Sequence, residues 1–329
     1  MSAPLYVLGP QRPLPNLPQA LQSLPGHGPI VMITAGWRHD EADTEALQRD
    51  IGPSAVALPL YAWFEELMEH HHALHAVYRA RQAQVQTLKE LHRVRMELEL
   101  AAWRQLLEQH KHAPQLVDEE LSDAMRGIRA LDERFLRRSE TIQAEYNERL
   151  RHLEPPALTH RREEARALLC GARAICVAGG HVGVLRNRML FFGLDRALAE
   201  AWRGGTSVVA WSAGAMALCD RVVLFNDDTP EGPQDDELLD TGLGFLPGLV
   251  VLPHAKKRLH LDNTARVRLI AERFAPLRCV GLESGAWLSW TGDGWLSRGV
   301  GSGTLSLCPT GEIAPTGDGL MLGLGQDRA

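Results

Sequence analysis

The chain has 329 residues, 45% of them apolar, enough for a sizeable core in one large or two ordinary domains. A formal net charge of −6 argues against a nucleic-acid-binding surface, and no uninterrupted apolar run of about 18 residues offers a membrane span. Five widely spaced cysteines with no CxxC pair, and no basic-then-apolar leader at Met1–Tyr6, fit a cytoplasmic protein with reduced core thiols better than disulfides or a zinc site.

Residues 1–60 read as α/β. Pro29–Ala35 is a short apolar run closed by Gly36, as a buried parallel strand would be, and Ser54–Leu60 reads as a second strand after a polar helical stretch, Asp40–Asp50. From 61 to 153 the composition changes: Gly127 is the one glycine, and Glu, Arg, Gln, His, Leu and Ala dominate. Apolar residues recur at helical spacing, first as Leu67, Leu74, Val77, Val85, Leu88, Leu91, Leu98 and Trp103, then as Leu121, Met125, Ile128, Leu131, Phe135, Ile142 and Tyr146. His112-Ala113-Pro114-Gln115 divides the two arms, because proline disfavours helix at the residue before it. The expectation is an antiparallel helical hairpin whose first arm reaches on the order of 70 Å at 1.5 Å per residue. His71 and His75, at i and i+4, could share a metal, but a polar helix face explains them more simply.

After 154 the α/β alternation returns, with strands at Arg173–Ala178, Ser207–Trp211, Gly248–Leu252 and Arg278–Leu282. The expected architecture is a doubly wound, mostly parallel sheet formed by 1–60 and 154–329, with 61–153 inserted as the hairpin. From Trp287 onward the Gly- and Thr-rich tail suggests short antiparallel strands, with Pro315–Asp318 as a loop.

Three strand ends carry chemistry, which is where open parallel sheets gather their active groups. Trp211-Ser212-Ala213-Gly214-Ala215 has the form of a nucleophile elbow, with Ala210 in place of the first glycine of Gly-x-Ser-x-Gly. Gly179-Gly180-His181 could turn backbone N–H groups toward a ligand. Pro253-His254 puts a base just beyond an apolar strand, and Asn226-Asp227-Asp228 offers acids to orient it. Each has a plainer reading: a tightly packed helix start, a common Gly-Gly turn, a surface histidine and a solvated acidic loop. Lys256, Lys257, Arg258, Arg266 and Arg268 are a basic cluster that could grip a substrate carboxylate or simply face water.

Together with Gly281-Leu282-Glu283-Ser284-Gly285, these segments in this order resemble the aspartyl dipeptidase (dipeptidase E) and cyanophycinase family of serine peptidases. The resemblance covers roughly 170–290. It implies a class I glutamine-amidotransferase-like fold and an enzyme without metal or cofactor that hydrolyses a small peptide or amide. It makes Ser212 the nucleophile, His254 the general base and then acid, and Asp227 the third member, with Asp228 as its rival. The oxyanion hole would be the N–H groups of Gly180 and Ala213. His181, Glu283 and Arg258 are expected near the substrate. Three departures stand out: His181 replaces the family's Asn, Ala255 replaces an aromatic, and the hairpin has no counterpart in compact members. An insertion of that size could cover the active site, mediate homodimerisation or hold another protein, and a non-catalytic assembly protein is the alternative reading. A glutamine amidotransferase is disfavoured, since serine stands where that chemistry uses cysteine.

Overall fold

The computed structural model describes residues 3–225, 236–299 and 303–323. Its first segment runs β1 (Leu5–Leu8), α1 (Leu17–Gln22), β2 (Ile30–Ile33), α2 (Glu45–Ile51), β3 (Ala55–Leu58) and α3 (Leu60–His70). The long helices α4 (His72–His110) and α5 (Pro114–Leu153) follow, then α6 (Pro156–Cys170), β4 (Ala174–Val177), α7 (Val182–Phe191) and α8 (Leu194–Arg203). Next come β5 (Ser207–Trp211), α9 (Ala213–Leu218), β6 (Arg221–Leu224), β7 (Glu237–Thr241), β8 (Leu249–Pro253), α10 (Ala255–Arg258) and α11 (Thr264–Phe274). The chain closes with β9 (Arg278–Leu282), β10 (Trp287–Trp290), β11 (Gly294–Ser297), β12 (Thr304–Leu307), β13 (Ile313–Thr316) and β14 (Met321–Gly323). It divides into two compact units, Met1–Leu67 with Pro156–Ala329, and Met68–Pro155.

In the first unit an eight-stranded sheet has the order β14-β11-β10-β1-β5-β4-β2-β3. The five strands from β1 to β3 are parallel, and β10, β11 and β14 extend the sheet antiparallel. β1, β2, β4 and β5 are buried along their whole lengths, so both sheet faces are covered and the strands read as unbroken apolar runs. Strand β1 escaped the sequence reading because it is four residues long and runs directly into Gly9-Pro10.

Two sequence expectations need correcting. The strands at Gly248–Leu252 and Arg278–Leu282 do not join the central sheet: β8 and β9 pair with each other in parallel inside a second sheet, β13-β12-β9-β8. An apolar run announces burial on both faces but does not name its partner strand. Pro315 lies in a strand rather than a loop, opposite Leu305. Proline is tolerated there because β13 is an edge strand and its missing N–H breaks no ladder bond.

The second unit is the hairpin. Tyr78 meets Tyr146, His92 stacks on Phe135, and His110 lies 2.8 Å from Asp118, so sequence rises along one helix as it falls along the other. Its core is Leu74, Val85, Leu88, Met96, Leu100 and Trp103 against Leu121, Met125, Ile128, Leu131, Phe135 and Tyr146. The first arm is not one rod. It breaks at His71 (φ −124°, ψ 80°), leaving α4 at 39 residues, or ~58 Å. Leu91 and Leu98, expected inside, are 53% and 71% exposed.

Candidate active site

The carboxyl ends of the parallel strands β1, β5, β4 and β2 share one edge of the sheet, and the site is built there. Ser212 follows β5 directly and holds φ 49°, ψ −125°, a conformation that L-residues avoid. Such a turn costs on the order of 1–3 kcal/mol and persists only where its surroundings impose it. Those surroundings are tight. A Cβ at Gly214 would stand 2.2 Å from the Val177 carbonyl oxygen and 2.8 Å from that of Ala178, so only glycine lets α9 start this close to β4.

The Gly179-Gly180 turn at the end of β4 faces the serine. A Cβ built at Gly179 would lie 3.0 Å from Ser212 Cβ and 3.6 Å from its Oγ. Gly180 has φ 136° and presses on Gly36, where an added Cβ would come within 2.6 Å of the carbonyl carbon and oxygen. The His181 N–H donates to the Gly36 carbonyl at 2.8 Å, tying this turn to the end of β2. Among the described residues, neither the Gly180 N–H nor the Ala213 N–H donates to another backbone group. Ala213 opens α9, where first-turn N–H groups have no intrahelical acceptor.

His181 is the N-cap of α7. Its Nδ1 accepts a hydrogen bond from the Val184 N–H at 3.2 Å, the service an Asn side chain would give at that position. Burial, with the nearby Arg38 guanidinium, pushes its pKa below the usual histidine value. A neutral ring accepting at Nδ1 carries its proton on Nε2, so His181 presents a donor.

His254 follows β8 in a left-handed conformation (φ 58°, ψ 36°), and its N–H donates to the Leu282 carbonyl of β9 at 3.0 Å. Ala255 behind it is fully buried against Gly281, where an added Cβ would sit 2.6 Å from the Ala255 methyl. An aromatic ring at position 255 would not fit this packing. The Glu283 carboxylate accepts the Lys256 N–H at 2.7 Å and so secures the turn that carries His254.

Ser212, His254, Gly180, His181, Ala213 and Arg258 line one cleft of about 560 Å³. Glu283 is not among its lining residues. Arg258 Nη2 donates to the Phe225 carbonyl at 3.2 Å and its guanidinium stacks 4.6 Å from that ring. Asp227 and Asp228 lie outside the described residues. The strand beyond them is firmly held. Asp236 receives Arg266 at 2.8 Å, its carbonyl accepts from Arg273 at 2.8 Å, and Asp240 pairs with Arg186 at 3.1 Å in a buried site. Sequence reasoning missed Arg12 and Trp37, which also line the cleft. The signal was available, since both follow strand ends at the same sheet edge, but the strand before Arg12 had gone unread. Cys219, close in sequence to Ser212, is fully buried and its thiol is pushed up to about 12, which leaves it a packing residue.

Residues 137–297 match the model of peptidase family S51. A search of curated proteins finds no match. Among solved structures, a peptidase from an acI-B1 Actinobacterium aligns at 15% identity with a TM-score of 0.53, covering 98% of this chain and 97% of its own. A candidate peptidase E from Listeria monocytogenes EGD-e, also at 15% identity, aligns with 42% of this chain and 65% of its own at a TM-score of 0.31. The first of these likenesses supports the mixed α/β fold with a mostly parallel central sheet. The family match supports a serine-type peptidase. The matched stretch, somewhat under half of the chain, resembles peptidase family S51, that of dipeptidase E and cyanophycinase, and it contains the ordered motifs from Gly179 to Glu283.

Proposed function

We propose that this chain hydrolyses a small peptide or amide through Ser212, His254 and Asp227, on a class I glutamine-amidotransferase-like α/β domain interrupted by the hairpin. Ser212 Oγ attacks the scissile carbonyl carbon as His254 takes its proton. The N–H groups of Gly180 and Ala213 receive the resulting oxyanion. His254 then returns the proton to the leaving amine, and water, activated by the same base, releases the acyl group from Ser212. Asp227 keeps its role from its place in the motif order, with Asp228 as the other candidate.

The observation that carries this reading is the strained turn at Ser212, packed against the Gly179-Gly180 turn and opening into the same cleft as His254. A cleft of about 560 Å³ suits a di- or tripeptide rather than a protein loop. Arg12 and Arg258 give it a cationic lining that favours a substrate bearing a carboxylate. Cys176, Cys219 and Cys279 are free thiols in the core, in keeping with a cytoplasmic protein that keeps its cysteines reduced. Among the described residues no helix is long and apolar enough to cross a membrane.

The test is hydrolysis of a dipeptide panel by wild type, Ser212→Ala and His254→Ala. Each variant should lose roughly four or more powers of ten in kcat against the best substrate. Retention of kcat in Ser212→Ala would end the proposal.

A further inference from the structure

Helix α4 has two apolar rows. One is the hairpin core. The other points outward: Leu91, Val94 and Leu98 are 53%, 55% and 71% exposed, and exposed Ala101 continues the row. Their separations of 3, 4 and 3 residues are those of the a and d positions of a coiled coil, sustained over two heptads. Lone exposed leucines are ordinary, but a row at this spacing is the pattern of a helix that has a partner.

The flanks of the row differ in charge. On one side a groove of about 300 Å³ lies between α4 and α5, with Leu88, Leu91, Leu131 and Phe135 in its lining and Arg95, Arg134 and Arg138 beside them. Among the described residues none of these three arginines is paired with a carboxylate, although Arg93, Arg126, Arg137 and Arg151 on the same hairpin all are. On the other side, at about 100° per residue, stand Glu90 and Glu97. Glu97 bonds Arg93 within its own helix, and Glu90 accepts from the Gln86 amide nitrogen.

We infer that the Leu91–Val94–Leu98 row is a homodimer seam on which α4 of a second copy packs parallel to the first. In that arrangement the acidic flank of each copy faces the arginine flank of the other, so Glu90 and Glu97 meet Arg95, Arg134 and Arg138 on both sides of the axis. An antiparallel pair would set arginine against arginine and glutamate against glutamate. The charge order therefore selects both the partner and its direction, and the surface that completes this one is the surface itself.

Sedimentation of the full-length chain tests the seam. Wild type should form a dimer. Glu90→Arg with Glu97→Arg should weaken it roughly tenfold or more, and so should Arg95→Glu with Arg134→Glu and Arg138→Glu. Mixing these two variants should restore a dimer containing one chain of each, since both flanks are again complementary. Every changed side chain is on the hairpin surface, and unchanged helix content and melting by circular dichroism would show that both variants fold. A wild type that stays monomeric up to its solubility limit overturns the inference. So does a dimer that survives both charge reversals, or a mixture that fails to associate.

Discussion

Ser212 combines a strained backbone with a small side chain, and the two can be separated by experiment. Ser212→Ala removes the hydroxyl and keeps the strain, so its stability should match wild type. Ser212→Gly also relieves the positive φ and should be more stable than Ser212→Ala by about 0.5–1 kcal/mol, while both are inactive. Paired denaturant titrations read the difference. His181 is the second informative residue. Its folded pKa lies below the unfolded value of 6.5, so the unfolded chain binds the proton first as the solution is acidified. Its contribution is therefore present above pH 6.5 and is lost as pH falls through the folded pKa. His181→Asn keeps the cap on Val184 without a titrating group, and its stability should fall less than that of wild type between pH 7 and pH 5. Parallel curves for the two proteins would show that the ring is not the titrating cap. At this scale the sequence was informative wherever a side chain stood just past an apolar strand, as Ser212, Gly180 and His254 do. It singled out Glu283 but not its role, because the bond to the Lys256 N–H joins two strand ends 27 residues apart and leaves no local pattern.

Among the elements, α9 and β7 are each held by one close contact that a substitution can remove. Gly214→Ala would drive a methyl into the Val177 carbonyl oxygen, which can be relieved only by moving α9 away from β4. A loss of about 2 kcal/mol or more is expected, along with a large fall in kcat from displacing Ser212. Thermal melting and turnover measure the two losses separately. On β7, the buried Arg186–Asp240 pair holds the strand that follows the segment bearing Asp227. Arg186→Met takes from Asp240 the cation 3.1 Å away, and a destabilisation on the order of 3 kcal/mol is expected in a urea titration. Strands were the elements least completely legible. The runs at β8 and β9 announced burial but not the second sheet, and β1 was hidden by its brevity beside Gly9-Pro10. Helices were plainer, though the 3.6-residue period could not say which of two apolar rows on α4 faces α5. The packing chose Met96 and Leu100 over Leu91 and Leu98.

For the whole molecule, glycine nearly disappears after residue 60 because long helices exclude it, and α4 and α5 fill most of that stretch. The helices that lead into and out of the hairpin are neighbours: Arg161 on α6 stacks 4.6 Å over Trp63 and bonds Glu66 at 3.4 Å, both on α3. A short Gly-Ser linker in place of 71–153 should therefore leave the α/β unit folded and, if the hairpin serves assembly, hydrolytically active. A chain so shortened that melts cooperatively yet no longer turns over substrate would instead assign the hairpin a part in catalysis. The proposed function turns on Ser212 as the nucleophile. It is tested most directly by treating the full-length protein with a fluorophosphonate and locating the adduct by peptide mass spectrometry. One adduct per chain on Ser212, absent from Ser212→Ala and much slowed in His254→Ala, is the predicted result. An adduct on another residue, or equal labelling of wild type and Ser212→Ala, would contradict it.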